Sequence, residues 1–323
     1  MTDDILFSAA DGIGTITLNR PRVLNALTPG MIAAMHAQLD AWAVDPGIRA
    51  VVVKGEGKAF CAGGDIRAVR QASLDGDHDA NAEFFKTEYD LDHATSVFPK
   101  PYVSLIDGVC MGGGMGISMH ARYRVVTERA MLAMPETAIG FFPDVGATHS
   151  LARLEGGMGL YLGLSGARLS AADALYCGMA THFVPAADLA ELEAAIHADP
   201  DEIADILDSL PRDAGNSDLA DHRAVIEVAF ATADVLEIFV RLAEDESDWA
   251  HETLRLLQSH APDALRRTAS LIDAAKAKSL REALDAELAT ALEMIRTPDF
   301  LEGVRAMLVD KDRAPHWTSP AIA

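Results

Sequence analysis

Cysteine, aromatic residues, basic charge and long apolar runs are all scarce in this sequence, and each scarcity excludes something. Three cysteines in 323 residues (Cys61, Cys110, Cys177) cannot all pair and keep no metal-ligand spacing. That argues against a disulfide framework and a thiolate metal site, and for reduced thiols. No apolar run approaches the length of a membrane span. Lys and Arg number 27 against 49 Asp and Glu, a net charge of −22 that disfavours nucleic acid and anionic membrane surfaces as partners. The start, Met1-Thr2-Asp3-Asp4, has neither the basic end and apolar core of a secretion signal nor an Arg-rich leader. With the reduced thiols, this sets the expectation of a cytoplasmic protein. Half the residues are hydrophobic, as in a globular chain with room for one large domain or two ordinary ones.

What is present centres on Gly108-Val-Cys-Met-Gly-Gly-Gly-Met-Gly116. The apolar run Tyr102–Ile106 before it reads as a buried strand, and Ile117 to His120 after it as helix. A strand, a glycine-dense turn and a helix start put backbone N–H groups at a positively polarised helix end, open to close approach by a ligand. An earlier stretch repeats the layout. The β-branched run Val51–Val53 suits a buried parallel strand, Gly63-Gly64 follow in a turn, and a helix begins at Ile66. Two such turns can supply one N–H each to a developing oxyanion. Neither keeps the G-x-G-x-x-G spacing, and Gly57-Lys58 is followed by Ala59, so dinucleotide and P-loop sites are excluded. Beyond the second turn, Met134-Pro-Glu-Thr-Ala-Ile-Gly-Phe-Phe-Pro-Asp144 brings Glu136 and Asp144, an acid and a base for acyl chemistry.

Elsewhere, Gly14–Leu18 alternates as a strand, and Thr28 with Pro29 starts a helix to about Ala43. A helix from Asn81 to about Val97 carries Glu88, which spacing alone assigns to solvent. Short strands fit 123–127, 130–133 and 180–184. After about Pro185, alanine, leucine and charge dominate, which reads as a helical region to about 314. Residues 201–221 are its least regular part, a loop or linker. The expected division is a core at 1–185 and a helical region at 186–323.

These motifs together resemble the crotonase (enoyl-CoA hydratase/isomerase) superfamily, and within it the 3-hydroxyisobutyryl-CoA hydrolase branch. The resemblance rests on Asn19-Arg-Pro…Asn25-Ala-Leu27, Ala62-Gly-Gly-Asp-Ile-Arg67, Gly112-Gly-Gly-Met-Gly-Ile-Ser118 and Met134-Pro-Glu-Thr…Phe-Pro-Asp-Val-Gly146. It runs on through Ala180-Thr-His-Phe-Val184 and Asp310-Lys-Asp312, and departs at Arg153-Leu-Glu155, Asp285–Ala289 and 200–220. It implies an α/β spiral of ββα units with a helical C-terminal region that completes the site and makes oligomer contacts, usually in trimer-based assemblies. It also implies an acyl-CoA substrate, with coenzyme A part of that substrate and no separate cofactor or metal. Carried over by motif, the oxyanion donors are the N–H groups of Gly64 and Gly113, and the catalytic carboxylates are Glu136 and Asp144. Glu88 lines the acyl pocket, and Arg22, Asp65, Ile66 and Lys311 contribute to substrate binding.

The implied reaction is hydrolysis of a short-chain 3-hydroxyacyl-CoA thioester, foremost 3-hydroxyisobutyryl-CoA of valine degradation. Glu136 attacks as a nucleophile or activates water, and a protonated Asp144 supplies the proton or positions the water. Hydratases of the family place a second glutamate where this chain has Gly116, which speaks against hydration. An enoyl-CoA hydratase/isomerase working with Glu136 alone, and a non-catalytic acyl-CoA-binding protein, are the alternatives. The net charge also requires Arg22, Lys54, Lys58, Arg67 and Lys311 to gather near the coenzyme A phosphates.

Overall fold

Ile13–Leu18 (β2) pairs antiparallel with Ile5–Ala10 (β1), a strand whose Ser8-Ala9-Ala10 end gives little β signal. The computed structural model describes residues 3–211 and 213–322. From β2 onward the pairing is parallel. Ala50–Gly55 (β3), Tyr102–Ile106 (β5), Tyr123–Val126 (β7) and His182–Phe183 (β9) add in turn, giving the order β1-β2-β3-β5-β7-β9. Three short strands, Ala59–Cys61 (β4), Val109–Met111 (β6) and Met131–Ala133 (β8), form a second sheet in the order β4-β6-β8. β3, β5 and β7 are each followed by a short strand, and β3-β4 and β5-β6 each lead into a helix. This is a repeated ββα unit. β4 and β6 are too short and too close to glycine to announce themselves, and their sequences read as turn.

The chain divides into two compact units. The first takes 1–64, 90–132 and 168–218; the second takes 65–89, 133–167 and 219–323. The 185/186 boundary drawn from composition falls inside the first unit.

In the first unit the central strands β2, β3 and β5 are buried on both faces, as parallel strands require, while the antiparallel edge strand β1 is largely exposed. Val51, Val52 and Val53 are all fully buried, each worth roughly 1.5–3 kcal/mol of transfer free energy. One core cluster joins Ile13, Val52, Val103 and Val125 to Leu192, Ile196, Ile203 and Leu207. The last two lie on the helix Ile203–Asp208, so part of the stretch read as loop or linker is core-forming helix. Its apolar residues are few, and only the sheet face they meet makes them structural.

The second unit is built mainly of helices, and its aromatic residues gather. Phe85 stacks on Phe141 at 5.8 Å, Tyr89 meets Phe85 edge-on at 5.9 Å, and Phe300 lies 5.7 Å from Phe141. One of these rings carries the hydroxyl that reaches a carboxylate, Tyr89 to Asp144.

Candidate active site

In the first unit the two glycine turns meet. Gly63 has φ +106°, and Gly112, which precedes the helix Gly113–Met119, has φ +49° and ψ −124°. Both conformations favour a residue without Cβ. A methyl group added to Gly63 would lie 3.6 Å from the Gly113 nitrogen, so the turns are in van der Waals contact. Gly113 is the first helical residue, and its N–H has no intrahelical acceptor. Gly64 forms a parallel bridge with Leu27, whose N–H goes to the Gly63 carbonyl at 2.8 Å. In a parallel bridge the flanking residues make the bonds, so the N–H of Gly64 itself points away from Leu27.

Arg22 lies in a short 3-10 turn, Pro21–Val23, and is exposed. The turn is held by the buried Asn25, whose side-chain oxygen accepts the Arg20 N–H and whose amide reaches the carbonyls of Glu56 and Ala59. Gly57 packs on Pro21, so the exposed Arg22 and Lys58 flank one contact. Lys54 instead pairs with Glu193.

The second unit holds the carboxylates. Glu136 opens a 3-10 turn, Glu136–Ile139, and is 8 % exposed beside the exposed Pro135. Asp144 accepts the Tyr89 hydroxyl at 2.8 Å. Glu88 is 2 % exposed, which corrects the solvent-facing expectation: the helix His78–Ser96 turns this residue inward with Phe85 and Tyr89. Glu88 Oε1 and Glu136 Oε2 are buried without a hydrogen-bond partner among the described residues. Leaving such an acceptor unmet costs about 1–3 kcal/mol, more if charged.

Burial therefore dominates the protonation of the group. It pushes Glu136 well above the ordinary carboxylate range, with the charges of Asp144 and Glu88 adding. Glu88 is raised by burial and then by Asp144. Asp144 is pushed up by burial to about 7, while the Tyr89 hydrogen bond and a backbone donor hold it down. A fourth carboxyl, Glu287, was not singled out from sequence. It is fully buried, raised by burial to about 8, and accepts the Gly146 and Thr148 N–H groups. It lies in one of the stretches that depart from the family pattern, and nothing local marks it.

The Tyr89 donor favours the ionised form of Asp144, whereas Glu136 Oε2 has no partner among the described residues, so burial weighs more heavily against an ionised Glu136.

Asp65 caps the helix Ile66–Asp75 by accepting the Ala68 N–H at 3.2 Å, and Ile66 is half-buried at its start. Arg67 is exposed. Lys311 is exposed with φ +60°, just past Asp310. The cations expected at the coenzyme A phosphates thus fall into two sets, Arg22 and Lys58 in the first unit, Arg67 and Lys311 in the second.

The enoyl-CoA hydratase/isomerase family model matches residues 13–323. The chain belongs to this family. Among curated proteins it is 41 % identical to human mitochondrial 3-hydroxyisobutyryl-CoA hydrolase, over 98 % of this chain and 84 % of that protein. It is 43 % identical to the enzyme of the same name from Xenopus laevis, over 98 % and 85 %. Two solved structures share the fold closely. A structure titled as a carnitinyl-CoA dehydratase from Mycobacterium thermoresistibile has a TM-score of 0.92 at 36 % identity, covering 98 % of this chain and 92 % of that one. One titled as an enoyl-CoA hydratase from Rhodobacter sphaeroides has 0.90 at 41 %, covering 98 % and 93 %. The architecture is the α/β crotonase fold.

The expectation of a cytoplasmic protein is overturned by these curated relatives, which are named mitochondrial. Unpaired thiols fit any reducing compartment and do not choose among them.

Proposed function

We infer that the chain hydrolyses a short-chain 3-hydroxyacyl-CoA thioester, foremost 3-hydroxyisobutyryl-CoA, to the free acid and coenzyme A. The observation that carries this is the buried Glu136 and Asp144 pair, with the Tyr89 hydroxyl on Asp144. Gly116, where a hydratase of the family has its second glutamate, agrees with it.

In this reading the thioester oxygen takes hydrogen bonds from the Gly64 and Gly113 N–H groups, worth on the order of 3 kcal/mol each as charge builds on it. The ionised Asp144 draws a proton from water, whose oxygen attacks the carbonyl carbon. When the tetrahedral intermediate collapses, the C–S bond breaks and the thiolate takes the proton held by Glu136. The roles of the two carboxyls are thereby exchanged relative to those implied by motif alone. Glu88 offers its unmet Oε1 to the substrate's 3-hydroxyl, favouring hydroxyacyl over plain acyl groups. Arg22, Asp65, Ile66 and Lys311 are proposed substrate contacts, the two cations facing the coenzyme A phosphates. An assembly built on trimers belongs to the same reading, and light scattering tests it.

Thiol release from 3-hydroxyisobutyryl-, 3-hydroxypropionyl-, crotonyl- and acetyl-CoA tests the reaction. Release confined to the hydroxyacyl esters is the expected result. Loss of crotonyl absorbance without thiol release would mean hydration and refute the reading.

A further inference from the structure

The turn that carries Asp144 is held in a conformation that its residues disfavour. The Asp144 carbonyl accepts the Ala147 N–H at 2.8 Å, closing a four-residue turn. Its two central residues, Val145 (φ +56°) and Gly146 (φ +80°), are both left-handed. Glycine enters that region freely, whereas a β-branched valine is an outlier there. The short helix Ala147–Leu151 follows at once, and its N-cap residue, Gly146, has no side chain to meet the open N–H groups.

A side chain from far along the chain meets them. Glu287, in the middle of the helix Leu280–Met294 and fully buried, accepts the Gly146 N–H at 2.7 Å on Oε2. Its Oε1 accepts the Thr148 N–H at 3.1 Å and also the Thr148 hydroxyl. Both carboxyl oxygens are thus committed to the two residues that bracket Ala147. A mid-helix carboxyl without a cation among these partners is costly to bury in its ionised form, as its rise to about 8 records, and the three donors offset part of that cost.

We propose that Glu287 is a positioning residue for the hydrolysis: by gripping Gly146 and Thr148 it locks the Asp144 turn and so keeps the Asp144 carboxylate against the Tyr89 hydroxyl. This rests on the reading of Asp144 as a reacting group. Glu287 acts through the backbone and does not touch the substrate.

Glu287→Gln keeps size but replaces one acceptor with a donor, which must face an N–H or the Thr148 hydroxyl. Thr148→Val removes one donor and leaves Glu287 and both backbone bonds; Thr148→Ser restores the hydroxyl. Steady-state thiol release from 3-hydroxyisobutyryl-CoA is measured for all three and for Asp144→Asn. A displaced Asp144 lowers kcat by about tenfold in Thr148→Val and about a hundredfold in Glu287→Gln, KM staying within about twofold. Thr148→Ser returns to the parent kcat. Should Glu287→Gln not fold, the Thr148 pair decides alone. A Thr148→Val protein with a lower Tm and an unchanged kcat makes Glu287 a helix cap only, and overturns the proposal. An Asp144→Asn protein of full activity removes the reading of Asp144 itself, a different failure that takes this inference with it.

Discussion

Replacing Tyr89 by phenylalanine removes one oxygen and leaves the ring in its edge-on packing against Phe85. The lost atom is the donor to Asp144 Oδ2 at 2.8 Å, between residues that are 0 % and 6 % exposed. A hydrogen bond to an ionised acceptor contributes about 1.5–3 kcal/mol net. At about 1.4 kcal/mol per pKa unit, its loss raises Asp144 by about one to two units. Asp144 stands at about 7 in the intact chain. If ionised Asp144 is the base, kcat/KM rises with pH through that value, and Tyr89→Phe carries the rise about one to two units upward. At pH 7, where the intact chain is itself half ionised, the variant is then about 5–50-fold slower, and it regains most of the difference by about pH 9.5. Thiol release across pH 5–9.5 gives both profiles. A profile scaled down at every pH, with its limb unmoved, would falsify the link between Tyr89 and Asp144. An intact chain whose activity falls rather than rises through pH 7 refutes Asp144 as the ionised partner.

Glu136→Gln is expected to abolish turnover while coenzyme A thioesters still bind, checked by calorimetric titration; unchanged turnover removes Glu136 from the reaction. Glu136, Asp144 and Glu287 all have folded pKa values above the ordinary carboxylate range. The folded chain therefore binds more protons than the unfolded one, and stability declines as pH rises from about 4 through the folded values of these groups. Tm should fall between pH 5.5 and 8.5, and fall less in Glu136→Gln; a flat Tm in the intact chain contradicts the burial argument. A Cβ at Gly114 would sit 2.4 Å from the Cys61 carbonyl oxygen, a backbone atom that cannot swing aside. Gly114→Ala should cost about 1–3 kcal/mol of stability, read by denaturant unfolding; parental stability would mean the two turns are not packed this tightly.

The sequence by itself determined the repeated strand, glycine turn and helix, because its signals are local. Val51–Val53 and Tyr102–Ile106 state their strands, and Gly63 and Gly112 mark positions where the backbone must leave the ordinary regions. It also singled out Glu136 and Asp144 through one continuous motif. What it left to tertiary structure was burial and partnership. Glu88 has the spacing of a solvated residue, and only the packing of other elements against its helix makes it an interior carboxyl. The donor that favours an ionised Asp144 is the hydroxyl of Tyr89, 55 residues before it. The grip on its turn comes from Glu287, 141 residues beyond Gly146. Periodicity records which way a side chain points along its own element; what waits there is contributed by other elements. The low dielectric that shifts these carboxyls exists only once those elements have packed.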